Sequence, residues 1–197
     1  MPKVGMEEIR REQVIAATTR CIVNKGMVNL SVKDIATEAG VSTGIIYHYF
    51  KNKEEILMHV IKAAFQQSHQ AVMDTVEPLD SPRDKLFKHI ENINAVAKHN
   101  SEFYALFLNY LGQTGSNEQV GAVVKKFFKN LRAYVQKYLT EGVNREIFPS
   151  KTAKDLPAII IALGMGLGIM WTVDQEAFDL DEMSETYKEV IGKFIES

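Results

Sequence analysis

The stretch SVKDIATEAGVSTGIIYHYFKNK, Ser31 to Lys53, decides how this chain is read. With Val32 as position one, Ile35 is apolar at four and Ala36 and Ala39 are small at five and eight. Gly40 stands at nine, Val41 and Ile46 are apolar at ten and fifteen, and Tyr49 is large at eighteen. Two short helices crossing steeply need small residues where they touch. The turn between them needs a positive φ, hence glycine, and the apolar positions pack the pair onto a preceding helix. Ser31 with Asp34 reads as a capping box, Leu30 and Ile35 as a hydrophobic staple, and Gly40 as the left-handed stop. The spacing predicts helices over 32–39 and 43–50, the second capped by Ser42.

The rest of the chain also carries helical periodicity, with no alternating strand pattern, so an all-α fold of about nine helices is expected. A first helix over 7–24 presents Ile9, Ile15, Ala16, Ile22 and Val23. A fourth over 53–76 stops at Glu77-Pro78, and a fifth starts at Ser81-Pro82. A sixth covers 101–111. A seventh, opened by a Ser116/Gln119 capping box, runs to Gly142. An eighth begins near Thr152 with Asp155 as its capping partner and is apolar nearly all round through Trp171. A ninth spans 181–196. Residues 1–52 form one expected domain and 53–197 a second.

In a helix-turn-helix, the second helix enters the major groove with its N-terminal residues nearest the base edges. Those residues are Thr43, Gly44 and Ile45. Thr43 suits a base hydrogen bond or a thymine methyl, and Gly44 lets the backbone approach. Lys33, Ser42, Tyr47, His48, Tyr49 and Lys53 are candidates for phosphate, fixing register without reading sequence. Tyr49 and Phe50 also suit packing of their own helix. Charge agrees with this placement. The chain has a formal net charge of −2, yet residues 1–53 hold eight Lys/Arg against five Asp/Glu, so only the front suits phosphate.

The run A-G-V-S followed by G-x-x-Y-x-Y-F-K-N-K-E-E-I-L, residues 39–57, resembles the DNA-binding domain of the TetR family of repressors. The likeness is specific over residues 8–60, and the length and helix count fit the family throughout. It implies a homodimer that leaves a palindromic operator when a ligand enters the C-terminal domain. By position, Thr43, Gly44, Tyr47, His48 and Lys53 match the family's DNA-contacting residues. Ile45 departs from the polar or small residue that many members carry there.

Under that reading the eighth and ninth helices, near 152–173 and 181–196, pair with their mates as a four-helix bundle. Gly164, Gly166 and Gly168 would permit close helix approach. Candidates for an effector pocket are Phe65, His69, Phe87, Asn94, Phe103, Tyr104, Phe107, Phe128, Met165 and Trp171. Their aromatic character points to a small apolar or aromatic effector. Most of them suit a core better than a pocket, while His69 and Asn94, polar on an inward face, suit either a buried partner or solvent.

Other classes are disfavoured. The single Cys21 rules out an internal disulfide and cysteine-built metal sites, and it fits a reducing, cytoplasmic setting. The N-terminus MPKVGMEEIRREQ has no apolar segment, so no signal peptide is expected. The run 157–173 approaches the length of a membrane span, but Asp155 and Asp174 flank it and no second span exists, which favours a buried helix. GMGLG lacks the strand a nucleotide loop requires. The acids Asp179, Asp181 and Glu182 sit at a helix start with no nucleophile or histidine pair nearby, so neither an enzyme nor a cofactor is expected. An activator, or a regulator controlled by a protein partner, is the alternative the sequence leaves open.

Overall fold

Why the front of the chain folds as it does is visible at its caps. In the computed structural model, which describes residues 6–149 and 154–196, α1 spans Met6–Lys25, α2 Val32–Ala39 and α3 Thr43–Tyr49. The Ser31 hydroxyl accepts from the Asp34 N–H, and the Asp34 carboxylate accepts from the Ser31 N–H, forming a reciprocal capping box. The Ser31 and Lys25 side chains hold the Asp34 carboxyl well below the usual carboxylate range. Gly40 sits at φ 65°, its N–H donating to Thr37 and that of Val41 to Ala36, so the left-handed turn ends α2 cleanly. Ser42 then caps α3, accepting from the Ile45 N–H.

The face of α1 differs from the expected one. Its buried residues are Val14, Ala17, Thr18, Cys21 and Ile22, a run at i, i+3, i+4, i+7 and i+8. Ile9 is 57% exposed, Ala16 is exposed, and Ile15 and Val23 are half-buried. The packed stripe lies in a different helical phase, and it takes Ala17 and Thr18 beside Val14 and Ile22. Thr18 satisfies its hydroxyl on the Val14 carbonyl at 2.7 Å. Burial pushes the Cys21 thiol up, consistent with packing rather than reactivity.

The remaining described helices are α4 Lys53–Val76, α5 Pro82–His99, α6 Ser101–Leu111, α7 Glu118–Asn144, α8 Leu156–Val173 and α9 Leu180–Glu196. They complete an all-α fold with two packing units. The first comprises residues 1–66 with 105–124, the second 67–104 with 125–197. In the first, α1, α2 and α3 pack together, and the Tyr110 hydroxyl donates to the Leu57 carbonyl at 2.5 Å. In the second, α5 packs on α8 and α9, and the Tyr187 hydroxyl donates to the Ile160 carbonyl. The units divide packing, and their limits fall inside α4, α6 and α7. The 52/53 boundary expected above coincides with none of these limits.

Three details correct the sequence reading. Asn117, not Ser116, opens α7: its side chain accepts from the Val120 N–H at 3.1 Å, while the Ser116 hydroxyl donates backwards to Gln113. Gly142 does not end α7, which runs two residues further. A Cβ there would fall 2.0 Å from the Phe148 ring, so glycine makes room for that ring. Asp155 precedes α8 without a side-chain cap bond, and its expected partner Thr152 lies outside the described residues. α8 is long and apolar enough to cross a membrane, with mean hydropathy 2.0, but it is buried on one side only.

Candidate nucleic-acid interface and effector cavity

α3 presents a surface rather than a core face. Ile46 is fully buried and Phe50 is 2% exposed, so the helix is anchored through one side and its C-terminal end. Lys33, Ser42, Thr43, Gly44, Ile45, Tyr47 and His48 are all exposed or half-exposed. Tyr47 is 55% exposed and Ile45 40%, values a tightly packed side chain does not reach. The exposed N-terminal turn of α3 thus combines hydroxyls, a glycine and an aromatic phenol, the chemistry that can hydrogen-bond phosphates and base edges.

Two candidates sit differently. Tyr49 is half-buried, its ring edge-on to His48 at 4.9 Å. Lys53 is half-buried and its ammonium donates to the Leu30 carbonyl at 2.9 Å, fixing the start of α4 to the residue before the α2 cap. Among the other front cations, Arg20 pairs with Glu38 at 2.6 Å and Lys25 with Asp34 at 3.0 Å. Both act within the fold.

The sequence reading overlooked the residues that hold α3 in place. Arg11 of α1 donates through Nη1 to the Tyr49 carbonyl at 2.8 Å, lies 4.7 Å from the Phe50 ring centre, and brings Nη2 to 3.3 Å from His59 Nε2. Burial, and then the Arg11 charge, push the His59 imidazole down. Gln13 donates to the Ala39 carbonyl at 3.0 Å and ties α1 to the end of α2. Such side-chain bonds to helix ends have no sequence signature beyond a polar residue on a half-buried face.

In the second unit lies a cavity of about 30 Å³. α4 supplies Ser68, His69 and Val72, α5 supplies His89, Ile93 and Val96, and α6 supplies Phe103 and Tyr104. Phe127, Leu131 and Met165 complete its lining. Of the sequence candidates, His69, Phe103, Tyr104 and Met165 meet here. The others lie elsewhere. Phe65 and Phe107 pair at 6.4 Å in the first unit. Helical rotation turns Phe127 inward and leaves Phe128 beside it, ring centres 5.6 Å apart. Asn94 is 2% exposed and donates to the Ser184 hydroxyl at 3.1 Å. Phe87 lies under the Arg83 guanidinium at 5.0 Å. Trp171 is half-buried and absent from the walls.

His89 is the residue the sequence reading missed in the cavity. It is 1% exposed, and neither ring nitrogen has a hydrogen-bond partner among the described residues. Burial, with His69 nearby, holds its imidazole down at about 4, so the ring is neutral at pH 7. Its position in the stripe Leu86, His89, Ile90, Ile93, Asn94 was the available signal. His69 is engaged by the Tyr134 hydroxyl at 3.0 Å. The Tyr104 hydroxyl reaches the Met165 sulfur at 4.0 Å.

Comparison with known proteins agrees with both halves. Residues 14–60 match the family model of bacterial regulatory proteins of the tetR family. Residues 82–196 match that of the BetI-type transcriptional repressor C-terminal domain. The HTH-type transcriptional regulator BetI of Escherichia coli O17:K52:H18 is 33% identical over 145 residues, 66% of this chain and 74% of the relative. BetI of Agrobacterium fabrum is 27% identical over 154 residues, 78% and 73% of the two chains. A transcriptional regulator from Saccharomonospora viridis, solved in complex with choline, superposes with TM-score 0.84 at 18% identity, over 94% of this chain and 96% of that one. FadR from Bacillus subtilis, solved with stearoyl-CoA, gives 0.77 at 23% identity, over 93% and 97%. The two structural likenesses concern the fold alone, but the family models span both the helix-turn-helix and most of the C-terminal helices, and the chain belongs to the TetR family of DNA-binding transcriptional regulators, with a C-terminal domain of BetI type.

Proposed function

We propose that this protein is a ligand-responsive repressor that acts in the cytoplasm, binding a palindromic operator as a homodimer and leaving it when a small apolar or aromatic effector enters the second unit. The observation that carries the DNA reading is the exposed N-terminal turn of α3, with Thr43, Gly44 and Tyr47 open to solvent above a buried Ile46. Thr43 is assigned to base edges; Ser42, Tyr47, His48 and Lys33 are assigned to phosphates.

The dimer reading is supported by what α8 and α9 leave uncovered. Ile159, Leu163, Met170 and Val173 are 40–76% exposed and spaced by four, seven and three along α8. Val190 and Phe194 of α9 are 41% and 58% exposed. An apolar stripe of this kind favours a self-complementary interface. The three glycines do not all serve it. Gly164 and Gly168 face Ile93 and Tyr104 of the same chain, and only Gly166 is open.

Effector control is supported by the cavity. At about 30 Å³ it has room for a few waters at most, each needing roughly 10–15 Å³. A ligand must therefore expand it, and so must bind a different conformation better than this one. Ser68, His69 and Val72 on its wall belong to α4, which begins at Lys53. Displacing that helix would shift the two recognition helices of the dimer from the separation of roughly 34–36 Å that successive major grooves require.

Selection of bound duplexes from a random pool tests the core of this. An inverted repeat with half-sites about one helical turn apart is expected. Recovery of unrelated sequences would overturn operator recognition, and recovery of single half-sites would overturn the dimer.

A further inference from the structure

Most of the cavity wall is apolar, and no Asp, Glu, Lys or Arg lies on it. A molecule with a fixed charge would find no counter-charge there, which makes its transfer from water costly. Yet the wall is not uniformly apolar. A buried polar group without a partner is unusual in folded proteins, and His89 leaves two such atoms on one ring. A neutral imidazole offers one donor and one acceptor. The two nitrogens point away from each other around the ring, so a hydroxyl or similar group engages one of them, accepting from the N–H or donating to the bare nitrogen.

Building on the effector reading above, we propose that the cavity takes an uncharged, largely apolar molecule carrying one hydrogen-bonding group, and that this group docks on a nitrogen of the His89 ring. His89 stands edge-on to Tyr138, ring centres 5.7 Å apart, and is held by packing rather than by hydrogen bonds. The aromatic rings of Phe103 and Phe127, 6.1 Å apart, with Met165, supply the apolar seat. The neutral state of His89 at pH 7 follows from its burial. His69, already bonded to Tyr134, and Tyr104, with a sulfur acceptor, are secondary polar points. The ligand class is thus set by one unpaired imidazole in an uncharged apolar wall.

Matched probes separate the parts of this proposal. Calorimetry on the full-length protein would compare 4-methylphenol with p-xylene, which differs by hydroxyl against methyl, and with benzyltrimethylammonium and 4-methylbenzoate. The phenol should bind about tenfold or more tighter than p-xylene, because only it pairs the imidazole. Its addition should also shift the His89 ring ¹⁵N signals. His89→Phe should abolish the preference and His89→Gln, which keeps a donor and an acceptor, should retain part of it. If His89→Phe does not fold, the wild-type ¹⁵N shift and His89→Gln decide. Equal binding of p-xylene and the phenol would overturn the polar anchor while leaving a ligand cavity. Tighter binding of either ion would overturn the uncharged class. Binding of no probe would overturn this inference, and an operator complex then also indifferent to every small molecule tried would overturn the effector reading.

Discussion

Gly168 of α8 lies against the ring of Tyr104 with no room for a methyl group: a Cβ there would fall 2.0 Å from the phenol oxygen and 2.2 Å from Cζ. Tyr104 is fully buried and borders the cavity, so the ring cannot swing into water. Overpacking of this kind costs about 1–3 kcal/mol, against about 1 kcal/mol gained by replacing a mid-helix glycine. Gly168→Ala should therefore lower stability by up to about 2 kcal/mol in urea unfolding. Paired with Tyr104→Leu it should show a coupling of at least about 0.5 kcal/mol. Simple additivity would mean the close approach carries no energetic weight.

A second prediction concerns the end of the recognition helix. The Arg11 guanidinium caps α3 through the Tyr49 carbonyl while lying over Phe50 and against His59. Arg11→Met removes the charge-assisted bond and should cost about 1–2 kcal/mol. It should also speed hydrogen exchange at the Phe50 amide, which donates to Ile46. Operator affinity should fall for all sequences alike. Arg11→Lys should not rescue it, because the fork that reaches Tyr49 and His59 together is lost. Full rescue by lysine would reduce Arg11 to a point charge.

How much of this was legible in the sequence depends on the kind of signal. Cap and turn residues act locally, so Ser31, Asp34, Gly40 and Ser42 announced α2 and α3 directly, and α4 could be bounded from Lys53 to Val76. The α7 start was misplaced because Ser116 and Asn117 are both competent caps, and only geometry chooses between them. The α1 face was set about one residue out of phase: Ile15, Ala16, Ile22 and Val23 were expected where the packed stripe is Val14, Ala17, Thr18, Cys21 and Ile22. The cavity was half legible. Helical phase separates Phe127 from Phe128 by about 100°, and no local rule says which points inward. Phe65 and Phe107 pack in the other unit, a fact of tertiary topology that aromatic character cannot reveal.

Acid should expose the cost of His89. Its folded value of about 4 lies below the ordinary 6.5 because burial, and then His69, disfavour the cation. Between those values the unfolded chain binds more protons than the folded one. Stability is therefore full above about pH 6.5, falls as pH drops toward 4, and levels off below. Near-complete burial makes the loss large, on the order of 3 kcal/mol. Titration of unfolding free energy for wild type against His89→Gln should show the difference confined to that window. Parallel curves would mean that the imidazole takes up its proton without resistance.

The uncovered stripe on α8 and α9 should govern assembly. Leu163 and Phe194 are 40% and 58% exposed within one chain. If they meet a second copy, Leu163→Asp or Phe194→Asp buries an unpaired charge at the interface and should disrupt it. Sedimentation should then report monomers, with thermal stability of the single chain nearly unchanged, since surface substitutions outside packed contacts usually shift stability by under about 0.5 kcal/mol. Variants that stay dimeric would place the interface elsewhere.

On DNA, Thr43 and Tyr47 should part company. Both are exposed on α3, but Thr43 is the first residue after the Ser42 cap, where a recognition helix meets base edges, and Tyr47 lies one turn on. Thr43→Ala should change the preferred base at one position of each half-site by about 1–3 kcal/mol. Tyr47→Phe, which removes only the phenol hydroxyl, should weaken binding to every sequence similarly. Lys53→Ala should do the same and also destabilise the fold by about 1 kcal/mol, because it takes away the bond to Leu30. Salt titration separates the two roles: a lost phosphate contact flattens the dependence of affinity on salt by about one ion, whereas a lost base contact leaves the slope alone. An unaltered base preference in Thr43→Ala would remove that residue from sequence readout, and an unaltered slope in Lys53→Ala would leave Lys53 as a structural tie only.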